Sequence, residues 1–167
     1  MERDAPSNSS PRATKATSMP RKPDIEAGLK AEIDHLLELS AQAFRSGAIA
    51  DSLALGLQAW ALIPEPKQAW DYYPQSLSAS FVKDYADLRD EDNVRKWIEV
   101  MALMYDDPDH TDHLVLMTEG EALLQLGDEA GARAVFGKIY ALYGKKGFAG
   151  HQKRYLALHL EQQRNEA

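Results

Sequence analysis

The chain is 167 residues long, contains no cysteine and carries a net charge of −7. That length suits one domain with a real core, and the missing cysteines exclude disulfides, thiolate metal sites and a cysteine nucleophile. No apolar run approaches the ~18–20 residues of a membrane span and the start lacks the apolar stretch of a secretory signal, so a mostly helical, cytoplasmic domain is expected.

Charge is uneven along the chain. Residues 1–23 hold five basic and two acidic residues, whereas 84–129 hold fourteen acids against Arg89, Arg95 and Lys96. Residues 130–160 then hold six basic residues and no acid. An acidic middle of this kind repels nucleic-acid phosphate and steers basic protein surfaces toward it. Ordinary solvated helix faces would give the same count.

In chain order, residues 1–23 are rich in Ser, Thr, Pro and Arg and are expected to form a disordered tail ahead of a helical domain over 24–167. Asp24 is a plausible N-cap for a helix to about residue 46, with Ile25, Leu29, Ile33, Leu36, Leu37, Ala43 and Phe44 as its buried stripe. Gly47 breaks it, and a second helix over 48–62 carries Leu53, Leu57, Trp60 and Ala61 until Pro64 and Pro66 end it. Helical periodicity continues over 76–88 (Leu77, Phe81, Tyr85, Leu88) and 93–106 (Val94, Trp97, Ile98, Met101, Met104). The turn between them ends in an N-cap at Asp92 or Asn93.

After a polar loop at 106–111, Asp112 can cap the next helix. Residues 114–143 read as two amphipathic helices joined by a turn at Leu126-Gly127-Asp128. Leu116, Gly120, Leu123 and Leu124 lie on the first; Ala132, Val135, Phe136, Ile139 and Tyr143 lie on the second. Gly120 and Ala132 permit close approach of the two helices, and Gly127 supplies a permissive turn. A final helix over about 151–162 carries Tyr155, Leu156, Leu158 and Leu160.

The order of small and large residues in 114–143 resembles the tetratricopeptide repeat, a helix–turn–helix unit of 34 residues. Leu116, Gly120, Leu123, Gly127, Ala132, Phe136 and Ile139 fall at matching offsets. In the first pair Leu36, Leu39, Ala43, Gly47, Ser52, Ala59 and Pro64 do so. Ser52 and Gly56 there depart from the usual Ala and bulky aromatic, and the middle pair is degenerate. The expected fold is all-α: a short tetratricopeptide-like solenoid of three helix pairs plus a C-terminal capping helix.

Candidates for chemistry are weak. Glu119 and Glu121 are two apart on a helix and point to different faces, which is wrong for a paired-carboxylate site. His110 and His113 with Asp106, Asp107, Asp109 and Asp112 could be read as a metal loop. Their spacing fits neither a zinc motif nor an EF-hand, and capping aspartates explain the loop as well. No phosphate-binding loop or nucleophile elbow is present. The expectation is a protein without catalysis, metal or cofactor. Trp60 and Trp97 fit buried stripes; Trp70, in a Pro-rich insertion beside Tyr72 and Tyr73, is the better exposed anchor.

A narrower resemblance rests on Trp60-Ala-Leu-Ile-Pro-Glu-Pro-Lys-Gln-Ala-Trp70, Phe81-Val-Lys-Asp-Tyr85, Glu119-Gly120, Leu126-Gly127-Asp128-Glu129-Ala130 and Gly147-Phe148 with Tyr155-Leu156. Together these resemble the small tetratricopeptide-like proteins encoded beside bacterial polymorphic toxins of the type VI, Rhs or contact-dependent systems. The resemblance implies an immunity protein that binds a cognate toxin 1:1, with a basic nuclease-type domain the fitting target. The expected contact surface is Asp84, Asp87, Asp90, Glu91, Asp92, Asp106, Asp107, Asp109, Asp112, Glu119 and Glu121, with Trp70 or Tyr73 as apolar anchor. A generic adaptor or secretion chaperone holding a peptide in its groove is the alternative.

Overall fold

The computed structural model describes residues 21–167. The tail expectation therefore lies outside the described residues for 1–20. Its last three residues lie against the helices: Arg21 pairs with Asp71 at 3.1 Å and Lys22 with Asp106 at 2.6 Å, and the Pro23 carbonyl accepts from the Asp71 amide.

Seven α-helices follow: α1 Ala27–Arg45, α2 Ile49–Leu62, α3 Tyr73–Asp87, α4 Glu91–Met104, α5 His113–Leu126, α6 Glu129–Tyr143 and α7 Lys153–Glu166. No strand occurs among the described residues. The helices pack as three consecutive pairs, α1 with α2, α3 with α4 and α5 with α6. The pairs stack through α2 on α3 and α3 on α5, and α7 covers α6. This is an all-α, helical-repeat-like architecture.

Local chemistry sets the helix starts. Glu26, not Asp24, caps α1, its carboxylate accepting from the Gly28 and Leu29 amides at 2.9 and 3.2 Å. Asp90, rather than Asp92 or Asn93, caps α4 by accepting from the Asn93 amide at 3.1 Å and its side chain at 2.8 Å. Helix α3 begins at Tyr73, ahead of the expected residue 76, because Pro74 is tolerated in a first turn where its missing N–H is not needed. Asp112 caps α5 as expected, and Gly127, at φ 87°, ends it in the left-handed conformation.

Close approach fixes the pairing. A Cβ on Gly120 would lie 2.6 Å from the Phe136 ring, so the ring of α6 occupies the space that the glycine of α5 leaves. In the first pair the equivalent aromatic position is Gly56, and a Cβ there would lie 2.9 Å from Phe81. The ring missing from α2 is thus supplied by α3 of the next pair. Ser52, the other departure, is buried and shares a 3.0 Å hydrogen bond with Ser40 of α1.

Phe81 also meets Trp97 and Trp60 edge-on, at centroid distances of 4.6 and 6.0 Å, and Trp60 meets Trp97 at 5.1 Å. One aromatic cluster therefore joins α2, α3 and α4. At the other end Tyr155 of α7 stacks on Phe136 at 4.6 Å, which fastens the last helix to the third pair.

Gly120→Ala is expected to destabilise the chain by about 1–3 kcal/mol, as overpacking does when backbone and ring cannot both yield. Urea unfolding measures it. Adding Phe136→Leu should recover part of the loss, because the two side chains compete for one volume.

Candidate binding groove

Helices α1, α3, α5 and α7 present side chains to one concave surface. Asp87, the last residue of α3, accepts from the Gln125 side chain near the end of α5, so these two helices run in parallel. Near the other end of α3, the Tyr73 hydroxyl donates to Asp34 in the N-terminal half of α1 at 2.5 Å, which sets α1 in the same direction. The groove between them measures about 1120 Å³.

Its apolar lining includes Leu37, Phe44, Leu77, Phe81, Leu124 and Leu158. Phe44 is 50% exposed, although its place in the stripe of α1 predicts burial. Ile33 is the buried residue of α1, because α1 is a terminal helix covered mainly by α2. Of the rest of the stripe, Leu37 and Phe44 line the groove, while Leu29 and Leu36 pack against the core. Sequence reasoning missed this; the signal was a stripe wider than one packing contact needs.

Three of the expected acidic contacts lie in the groove: Asp84 and Asp87 on α3, and Glu121 on α5. Asp87 holds Gln125 as above, and Glu121 faces His151 at 3.6 Å. Asp84 has no hydrogen-bond or ion-pair partner among the described residues. Partial burial, with the Asp87 charge beside it and only partial relief from Lys83, pushes its carboxyl up to about 6. The groove's cations are mostly occupied, Arg45 with Glu38 at 3.5 Å and Arg154 with the Tyr155 hydroxyl at 2.6 Å.

Most of the other acids serve the fold. Asp90 and Asp112 are helix caps. Glu91 pairs with Arg95 at 2.7 Å, and Arg95 reaches on to Asp128, the cap of α6, at 3.1 Å. Asp106 pairs with Lys22. Asp107, only 7% exposed, accepts from the Thr111 amide and hydroxyl and from the Asp112 amide, all within 2.9 Å. Those bonds outweigh its desolvation and hold it below the usual carboxylate range. Asp92 and Asp109 are exposed on α4 and the following loop.

Glu119 turns away from the groove and binds His110 at 2.9 Å, with Glu99 on the other ring nitrogen at 3.5 Å. Burial would draw the His110 imidazole down, but Glu119 and then Glu99 carry it above its ordinary value. His113 points elsewhere, to the Gly147 carbonyl at 2.6 Å. Among the described residues no group of three or more His, Asp or Glu is placed to hold a metal ion.

The expected aromatic anchors are corrected. Tyr73 is only 6% exposed, and its phenol is pushed upward by burial and by Asp34. Trp70 is half-buried against the core, its indole N–H donating to the Pro64 carbonyl at 3.0 Å. Both rings were drawn inward because each polar tip finds a fixed partner. Tyr72, at 64% exposure, is the ring left outside.

Among the described residues no helix is long and apolar enough to cross a membrane. No protein-family model matches the chain, and no curated protein matches it significantly.

Two stability measurements separate the groove acids from the structural ones. Asp84 keeps its proton in the folded chain up to about pH 6, whereas an unfolded carboxyl loses it near pH ~4. Stability therefore falls as pH rises through that window, and Asp84→Asn should raise stability at pH 7. Discounted for the solvent that still reaches the carboxyl, the gain is about 1 kcal/mol, vanishing below about pH 4. Asp107→Ala should instead cost about 1–3 kcal/mol by removing the buried acceptor of the Thr111 and Asp112 amides, with Asp109→Ala near neutral in the same assay.

Proposed function

We propose that the chain is an immunity protein, a cytoplasmic binder that seats a basic toxin domain against its groove and neutralises it 1:1 without chemistry of its own. The observation that carries this reading is the groove on α1, α3, α5 and α7, where apolar side chains surround an unpartnered carboxylate. An apolar groove edged by charge suits recognition of a segment of another protein. The acidic stretch 84–129 supplies a field that speeds encounter with a basic partner. The residues resembling toxin-linked tetratricopeptide-like proteins point the same way.

A second reading, an adaptor or secretion chaperone that holds a peptide, is favoured by the apolar lining between α1 and α3. The two differ in salt sensitivity and in what happens to the partner's activity.

The test is capture from the source cells at low and high salt, then assay of the purified partner alone and with an equimolar amount of this chain. The expected outcome is one basic domain whose activity is lost in the complex and whose capture weakens with salt. Asp84→Lys with Asp87→Lys should weaken binding at least about tenfold, roughly 1.4 kcal/mol. Asp92→Lys with Asp109→Lys should change mainly the association rate. Recovery of many unrelated segments, with activity unaffected, would favour the adaptor.

A further inference from the structure

Resting on the protein-binding reading of the groove, we infer that its occupant is an amphipathic α-helix of the partner, apolar on the face it buries and carrying a lysine or arginine that pairs with Asp84.

Three observations carry this. The first is size: at about 1120 Å³, the open groove has room for one face of a helix about 10 Å across. The second is the lining. Between α1 and α3 it is mainly Leu37, Ala41, Phe44, Leu77 and Phe81, with the hydroxyls of Ser40, Ser76 and Ser80 among them, and Ser40 is already bonded to Ser52. An extended segment would find two free hydroxyls for a whole row of amides and carbonyls, whereas a helix satisfies its own.

The third is charge. Asp84 and Asp87 sit toward the C-terminal ends of the parallel helices α3 and α5, where the helix dipoles are negative. Asp87 already holds Gln125, and Arg45 and Arg154 have their own contacts. Asp84 is the partly buried groove charge left without a partner, and Lys83 beside it is exposed to solvent. A cation entering with the helix restores what desolvation costs that carboxylate.

The test is fluorescence anisotropy of the full chain with labelled helix-forming peptides of about 18 residues, or five turns. The probes are a Leu/Lys peptide, a Leu/Glu peptide with the same apolar face, and a Leu/Lys peptide interrupted by proline. The Leu/Lys helix should bind, and the other two at least about tenfold more weakly. Asp84→Asn should weaken the Leu/Lys peptide about tenfold while Asp92→Asn leaves it unchanged. Because Asp84→Asn is expected to fold at least as stably, its loss of binding cannot come from unfolding. Absence of Leu/Lys binding, equal binding of the Leu/Glu or proline-interrupted peptide, or indifference to Asp84→Asn would each overturn the inference. Peptide capture without any neutralised effector would sink the immunity reading alone. Neutralisation that ignores Asp84→Asn would sink this inference alone.

Discussion

Two helix contacts of this chain close because a ring fits into the space left by a glycine. Phe136 occupies the gap over Gly120, and Phe81 occupies the gap over Gly56. These contacts set how closely α5 meets α6 and α2 meets α3, and so where the groove-lining helices stand. The same rings reach further, Phe81 into the cluster with Trp60 and Trp97, Phe136 into the stack with Tyr155. Aromatic burial of this size carries a large share of a small domain's stability. Here it also couples the first helix pair to the second and the third pair to α7.

Much of that was legible in the residues. Leu126-Gly127-Asp128 announced a turn between two helices, and Asp112 announced a cap, because both motifs act locally. Helix α3 was placed late because Tyr73 was left to a Pro-rich insertion, whereas Pro74 sits in the helix's first turn. Gly56 looked like a defect in a repeat pattern. Its meaning lay twenty-five residues away, in Phe81, and no local rule connects them.

The candidate site was legible only in part, for a related reason. Sequence distance placed fourteen acids in one stretch, but a helix turns successive side chains to different faces. Asp84, Asp87 and Glu121 came together in the groove, while Glu119, only two residues from Glu121, turned to His110. Asp90, Asp107 and Asp112 went to backbone amides instead of solvent. An aspartate beside a helix start is drawn to those orphan donors first. Trp70 and Tyr73 followed the same logic, each pulled in by a partner for its polar tip. Charge density in a sequence thus overstated the charge available to a partner.

The proposed working surface is the concave face of α1, α3, α5 and α7. Amide hydrogen exchange on the chain, free and in complex with the domain recovered on it, tests this most directly. Binding should protect residues 37–45, 76–87, 121–125 and 151–158, leaving α4 and α6 as they are in the free chain. Protection concentrated instead on α4, α6 and the loop 105–112, with the groove segments exchanging as before, would contradict it.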